Sequence, residues 1–327
     1  MRRLAILVVA VTLLGGGLWL RATPVTVATT TSTTTIAPTT TTTLAGPPDT
    51  CSATGATAPS FGCVSWHPQD VWSGSVASVY TASFTFDRAQ PTALAYAGLL
   101  RTSTTDLALY PGYEGPGPSS LARGPEMVPP TGYPRLLATF NSGFYEKDAV
   151  GGFYTNHTLY FPMVKGLATV VRYADGTVDI VAWSGGPRPS ANVLMARQNL
   201  SLLVDGSAAT TVTATNSLWG VTLHGAAAVW RTGLGVDANG DLIYVAAPNV
   251  TAQGLAAVMV HLRVVRAMEL DINPEWPIFV TYGGPGAQSP SLDVANPNQI
   301  AHRFLYPSTK DFFAVFATSS PGEAQPW

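Results

Sequence analysis

Charge is the scarcest commodity in this 327-residue chain: Asp, Glu, Lys and Arg together make up 11% of it, and only three of the 17 basic residues are lysines. A folded domain usually carries about twice that share of charge, so a charge-solvated disordered protein is excluded for most of the length. The formal net charge is −2, which leaves no strongly basic surface for nucleic acid. Cysteine is nearly absent, with two residues, too few for a thiolate zinc site. The five histidines (His67, His157, His224, His261, His302) are scattered without a His-x-x-x-His pair, which speaks against a zinc hydrolase. A Gly-x-Ser-x-Gly elbow and a phosphate-binding P-loop are missing too, so serine-hydrolase and nucleotide readings lack support. What is plentiful is apolar: 46% of residues are hydrophobic, and 31 glycines and 26 prolines punctuate them. That combination predicts a large core built from short elements joined by many turns.

The first residues concern address. Met1-Arg2-Arg3 precede an uncharged, mostly apolar run from Leu4 to Leu20, the pattern of an export signal. Its length lies between a signal-peptide core and a short membrane span, so residues 1–28 read as a cleaved signal peptide or a retained membrane anchor. Either places the rest of the chain outside the cytoplasm, with a membrane contacted only through this segment. In the stretch that follows, 29–45, eleven of the fifteen residues from Thr29 to Thr43 are threonine. Such a segment has almost nothing to bury and reads as a disordered stalk. Residues 46–327 form the expected single main domain, with 14 basic and 19 acidic residues and hence a net charge of −5. Cys51 and Cys63 lie at its start, and in an exported chain two cysteines twelve positions apart are expected to form a disulfide. Closing so short a loop would stabilise the domain by about 2–3 kcal/mol on the entropic account.

Within the domain, short runs rich in β-branched and aromatic residues predict strands over Val79–Phe86, Leu136–Phe140, Leu167–Tyr173, Val178–Trp183, Leu242–Ala246, Ala267–Ile272, Ile278–Tyr282 and Phe312–Phe316. Asp175-Gly176 and Asn239-Gly240 supply the positive φ angles of tight hairpins. Thr251 is placed as N-cap of a helix whose Leu255, Val258, Met259 and Leu262 recur at helical spacing, with Arg263 at its end. Hairpin, helix and strand in succession predict an α+β fold: a strand-rich mixed sheet with few packed helices. Residues 110–134 and 283–299 are rich in Gly, Pro and Ser and read as long surface loops bordering a cleft.

Three clusters draw chemical attention. In Arg266–Trp276 three acids fall within seven residues, and on a strand Glu269 and Asp271 would project to one side. Such a pair can divide acid and base roles, share a proton or, with Asn273, offer oxygens to a hard cation such as Ca²⁺. The plainer reading is that one acid is held in a buried ion pair with an arginine and the other is solvated at the strand end. In Trp230–Gly235, Arg231 offers a planar fork suited to phosphate or carboxylate, beside glycines that let a ligand approach the backbone. In Ala138–Tyr145, a buried strand runs into Asn141-Ser142-Gly143, as at a strand end facing a pocket. An Asn-Ser-Gly turn and an arginine at a strand start are also ordinary structural features.

Taken in order, these clusters resemble the phosphodiester glycosidase family. The family's Asn-Gly-Gly-Phe-like turn is similar to Asn141-Ser142-Gly143-Phe144, and its element ending in Asp-Gly to Leu202-Leu203-Val204-Asp205-Gly206. Its Arg-Thr-x-x-Gly stretch is similar to Arg231–Gly235, and its helix and apolar strand ending in Leu-Asp to Leu255–Leu262 with Leu270-Asp271. The resemblance covers about residues 135–317. The chain departs where the family continues Leu-Asp-Gly-Gly-Gly-Ser: here Ile272, Asn273 and Pro274 follow, and neither a β-branched residue nor proline suits a backbone anion nest. The resemblance implies an exported glycosidase-like hydrolase of a sugar-1-phosphodiester or related envelope glycan. In that reading Asp271 is base or nucleophile with Glu269 as partner, and Arg231 holds the phosphate. Asn141, Gly143 and Thr232 line the sugar site, and Trp276 either stacks on a sugar face or packs in the core. The alternative is a non-catalytic glycan-binding module of the same fold.

Overall fold

A computed structural model of the chain describes residues 46–50, 61–73, 76–87, 89–117, 123–220, 222 and 225–319. The proposed signal, the threonine stalk and Cys51 lie outside them. In chain order the strands are β1 (His67–Pro68), β2 (Val79–Thr85), β3 (Leu94–Leu100), β4 (Thr105–Tyr110), β5 (Leu136–Asn141), β6 (Phe153–Thr155), β7 (Thr158–Phe161), β8 (Ala168–Tyr173) and β9 (Val178–Ala182). They continue as β10 (Val193–Gln198), β11 (Leu202–Asp205), β12 (Ala208–Ala209), β13 (Val229–Asp237), β14 (Leu242–Val250), β15 (Val264–Glu269), β16 (Phe279–Gly284), β17 (Gln288–Leu292) and β18 (Phe312–Ala317). The α-helix among the described residues is α1 (Ala252–His261), where the Thr251 hydroxyl accepts the Gly254 N–H as the sequence predicts.

The strands form an eight-stranded sheet β1-β2-β3-β14-β13-β15-β11-β12, a five-stranded sheet β7-β6-β10-β8-β9 and a second five-stranded sheet β17-β16-β5-β18-β4. Every pair is antiparallel, which corrects the expected mixed sheet of an α+β fold: the molecule is mostly β, with few helices. The physical reason lies in the one crossover that a helix makes. Strands β14 and β15, joined through α1, run the same way, but β13 is inserted between them and pairs antiparallel with both. The expected loop at 283–299 is also corrected, because β17 lies within it and pairs with β16.

The eight-stranded sheet is covered on both faces. On one, Leu255, Val258 and Met259 of α1 pack with Leu203, Val245 and Ala267. Gly233 and Gly235 serve this contact: a Cβ on Gly233 would meet Met259 Sδ at 3.1 Å, and one on Gly235 would meet Val264 at 2.4 Å. Their small size admits protein side chains, not a ligand. On the other face, Tyr244 of β14 packs among Phe140, Phe279 and Phe313 of the third sheet, with ring centroids 5.1–5.9 Å apart within that aromatic cluster. The two sheets also meet where Asn141, the last residue of β5, bonds Thr232 of β13, and where Asp271 after β15 meets Lys310 before β18.

At the start of the domain an antiparallel bridge joins Thr50 to Val64, at the two ends of the segment that holds both cysteines. Cys63 is not a free thiol. Its expected partner falls outside the described residues.

Candidate active site

The chemistry of the site begins with an irregularity. Leu270 N–H donates to the Thr232 carbonyl at 2.7 Å, while Thr232 N–H donates to the carbonyl of Asp271 at 2.8 Å. Two residues of one strand thus face one residue of its neighbour, the arrangement of a β-bulge. The extra N–H, that of Asp271, is satisfied by the Thr232 hydroxyl at 3.0 Å, which explains a hydroxyl residue at that position. A bulge breaks the two-residue alternation of side chains. Glu269 and Asp271 consequently do not work as a same-side pair; each meets a different cation.

Glu269 is fully buried, and its Oε1 binds Arg231 Nη1 at 2.6 Å. Arg231 is equally buried and spends every donor within the protein: Nε on the Val250 carbonyl, Nη1 also on the Trp219 carbonyl, and Nη2 on Asn216 Oδ1 and the Ala227 carbonyl. As the chain folds, no N–H of Arg231 remains to hold a phosphate. Burial raises the Glu269 carboxyl to about 7, with Arg231 acting in the opposite direction. Its second oxygen, Oε2, has no hydrogen-bond partner.

Asp271 leaves the bulge toward the third sheet. Its Oδ2 binds the ammonium of Lys310, and its Oδ1 accepts the Asn273 N–H at 2.8 Å. Lys310 lies two residues before β18, 3% exposed, and burial lowers its amine to about 7, with Asp311 and Asp148 opposing that fall. Its Nζ lies 5.1 Å from the ring centroids of both Tyr145 and Trp276. These two half-buried rings meet edge to face at 6.1 Å. Trp276 also carries the guanidinium of Arg303 at 5.0 Å from its centroid. A buried carboxylate–amine pair therefore sits beneath a tryptophan, a tyrosine and a second cation.

Asn141 and Thr232 hold this arrangement together. Asn141 donates to the Ser142 carbonyl and the Thr232 hydroxyl at 3.0 Å each, and accepts from Tyr244 Oη at 2.8 Å. With all these bonds made inside the protein, both residues position the bulge and have little left for sugar hydroxyls. Gly143 allows a close approach, since a Cβ there would lie 3.3 Å from the Arg197 guanidinium. Arg197 in turn anchors the segment before β18 through Asp311 at 2.8 Å. The Asn199 amide donates to the Glu269 and Leu270 carbonyls at 2.8 and 3.0 Å, fixing the strand just before the bulge.

The oxygen set proposed for Ca²⁺ does not converge. Glu269 faces Arg231, Asp271 faces Lys310, and Asn273 Oδ1 accepts the Glu275 N–H at 3.0 Å. Among the described residues no three His, Cys, Asp or Glu side chains form a metal-binding group. Ligands already committed to cations and N–H groups do not fit a hard divalent ion. Two pockets lie elsewhere. One, of about 640 Å³, adjoins Arg101, Trp66 and the Asp237–Asp241 turn at the far end of β13 from Arg231; the other, of about 240 Å³, adjoins Val150, Leu200 and Trp219.

Of the residues singled out in the sequence, the structure places Asp271 and Trp276 beside Lys310, Tyr145 and Arg303, which sequence reasoning did not single out; Asn141 and Thr232, expected on the sugar, bond within the protein. A signal for Lys310 did exist: it is one of three lysines in the chain and sits two residues before the apolar strand Phe312–Phe316.

No protein-family profile matches the chain, and no curated protein does. Solved structures do. The catalytic domain of zebrafish N-acetylglucosamine-1-phosphodiester alpha-N-acetylglucosaminidase, auto-inhibited by its pro-peptide, is similar at 15% identity and a TM-score of 0.45, over 83% of this chain and 88% of that one. A Synechocystis protein is similar at 10% identity and a TM-score of 0.43, over 74% of this chain and 62% of that one. A Burkholderia pseudomallei protein is similar at 10% identity and a TM-score of 0.36, over 69% and 74%. These are distant likenesses and do not make the chain a member of the phosphodiester glycosidase family. Among the described residues no helix is long and apolar enough to cross a membrane.

Proposed function

We propose that the protein is an extracytoplasmic hydrolase of a glycan, cleaving at a glycosidic or sugar-1-phosphodiester bond, with Asp271 and Lys310 as the reacting groups. The observation that carries this reading is the pairing of a buried carboxylate with an amine whose pKa is about 7, beneath the rings of Trp276 and Tyr145. An aromatic wall suits the C–H face of a sugar, and an acid–base pair suits hydrolysis at its anomeric carbon. The basic start, the apolar run and the threonine stalk support an address outside the cytoplasm.

In the scheme the reaction starts from the carboxylate of Asp271 and the ammonium of Lys310, joined as an ion pair. Water adds to the anomeric carbon and Asp271 takes its proton. The bond from that carbon to the leaving oxygen breaks, its electron pair stays on the oxygen, and Lys310 supplies a proton there. Transfer of the new proton from Asp271 to Lys310 along their hydrogen bond restores the starting state. A phosphate leaving group needs less of this help than an alcohol. Arg231, Glu269, Asn141 and Thr232 act in this scheme by holding the bulge that aims Asp271.

The test uses the purified protein, a panel of sugar-1-phosphodiesters and simple glycosides, and release of free sugar as the signal, with Asp271→Asn and Lys310→Met beside the parent. Release that disappears in both variants supports the assignment. A folded parent that releases nothing, or variants as active as the parent, overturns it. One observation favours a second reading, a glycan-binding module without turnover: Asp271 is 1% exposed and Lys310 3%. Binding of a glycan with no release would be its signature.

A further inference from the structure

Arg231 has no donor left for an anion, yet among the described residues Arg303, over the ring of Trp276, keeps its side-chain donors free. The Arg303 guanidinium is half-buried and lies over Trp276, 5.0 Å from its ring centroid, and no hydrogen bond or ion pair engages its side chain among the described residues. A partly desolvated arginine normally finds a carboxylate, because its charge persists at every accessible pH. Burial works against the charge of Arg303, and the groups that favour it are Tyr145, Tyr113 and Glu275, none of which forms an ion pair with it. With its carbon over the indole, the guanidinium has a cation–π partner and still keeps its N–H donors for an anion. Lys310 lies 5.1 Å from the centroid of the same ring, so Arg303 and the Asp271–Lys310 pair share one tryptophan.

We infer that Arg303 receives the anionic group of the substrate, a phosphate or a carboxylate, at a subsite on Trp276 beside the Asp271–Lys310 pair. The inference rests on the proposed reading of that pair as the reacting centre, and it narrows the substrate class to anionic glycans. A neutral glycan would leave Arg303 desolvated without a counter-charge.

Titration calorimetry on the full chain separates this proposal from the question of turnover. The ligands are glucose 1-phosphate, methyl glucuronide and, as the neutral arm, methyl glucoside; the variants are Arg303→Gln and Arg303→Lys. The expected result is binding of at least one anionic sugar, stronger than that of methyl glucoside. Arg303→Gln should weaken it by about tenfold or more, and Arg303→Lys should recover only part, because a point charge replaces a two-pronged donor. Preference for glucose 1-phosphate identifies phosphate as the partner, and preference for methyl glucuronide identifies carboxylate. Equal affinity in parent and Arg303→Gln, no binding of either anionic sugar, or equal affinity for the neutral sugar would overturn the subsite. Anion binding that depends on Arg303, in a protein that releases no sugar, would leave the subsite standing while the hydrolase reading fails.

Discussion

Two cation–carboxylate pairs lie two residues apart along one strand, and they are built for opposite ends. Arg231–Glu269 is sealed, with both partners fully buried and every guanidinium donor used. Lys310–Asp271 is nearly as buried but lies under rings that a ligand can reach. The difference is chemical as well as positional. Arginine cannot shed its proton inside a protein, so Glu269 faces a permanent charge; lysine can, so the second pair can change state near neutral pH. One pair is a structural pin and the other is the pair we propose for proton transfer, and the β-bulge at Leu270-Asp271 is what sends the two acids to different partners.

This contrast can be broken most forcefully through stability. Glu269→Gln should cost about 3–5 kcal/mol, because it strands a buried guanidinium. Asp271→Asn should cost clearly less above pH 7, where Lys310 escapes by losing its proton. Equal losses in chemical denaturation would erase the distinction. On activity the order reverses: Asp271→Asn should lower sugar release by about 10²–10⁴-fold, the range of a lost acid–base group. Such a loss should come without a matching fall in the denaturation midpoint.

The pH dependence of stability gives a subtler test. The Glu269 pKa is raised from 4.5 to about 7, so between those values the folded chain holds more protons than the unfolded one. Its contribution therefore falls as pH rises through that window. The Lys310 pKa is lowered from 10.5 to about 7, so from 7 upward the unfolded chain holds more protons and the contribution of Lys310 rises with pH. Together they should leave a shallow dip near pH 7. Glu269→Gln should remove the slope below the dip, Lys310→Met the slope above it, and a profile unchanged in Lys310→Met would argue that this amine is not shifted. The smallest effect is expected at Trp276. Trp276→Ala should cost no more than about 1–2 kcal/mol of stability, since its ring is half-exposed, while weakening glycan binding measurably.

Local signals carried much of the fold into view. The Asp-Gly and Asn-Gly turns, the Thr251 cap and the β-branched runs at β2, β5, β8, β9 and β18 all became the elements their sequences suggest. Strands such as β3, Leu-Ala-Tyr-Ala-Gly-Leu-Leu, gave no such sign, because alanine and leucine carry little strand preference and β3 is held by neighbours on both sides. The site was legible in part. Asp271, Trp276 and Asn141 stood out by their place in short motifs, whereas Lys310 and Arg303 belong to no motif, and only tertiary contacts bring them to Asp271 and Trp276.

The sequence alone determined an apolar, turn-rich chain with an export-like start, because those properties depend on composition and on neighbours a few residues away. Which cation each acid would meet depended on contacts between strands far apart in the chain. Glu269 finds Arg231 across 38 positions and Asp271 finds Lys310 across 39. A two-residue period predicts that the acids share a face; only the pairing of Leu270 and Asp271 against Thr232 decided that they do not.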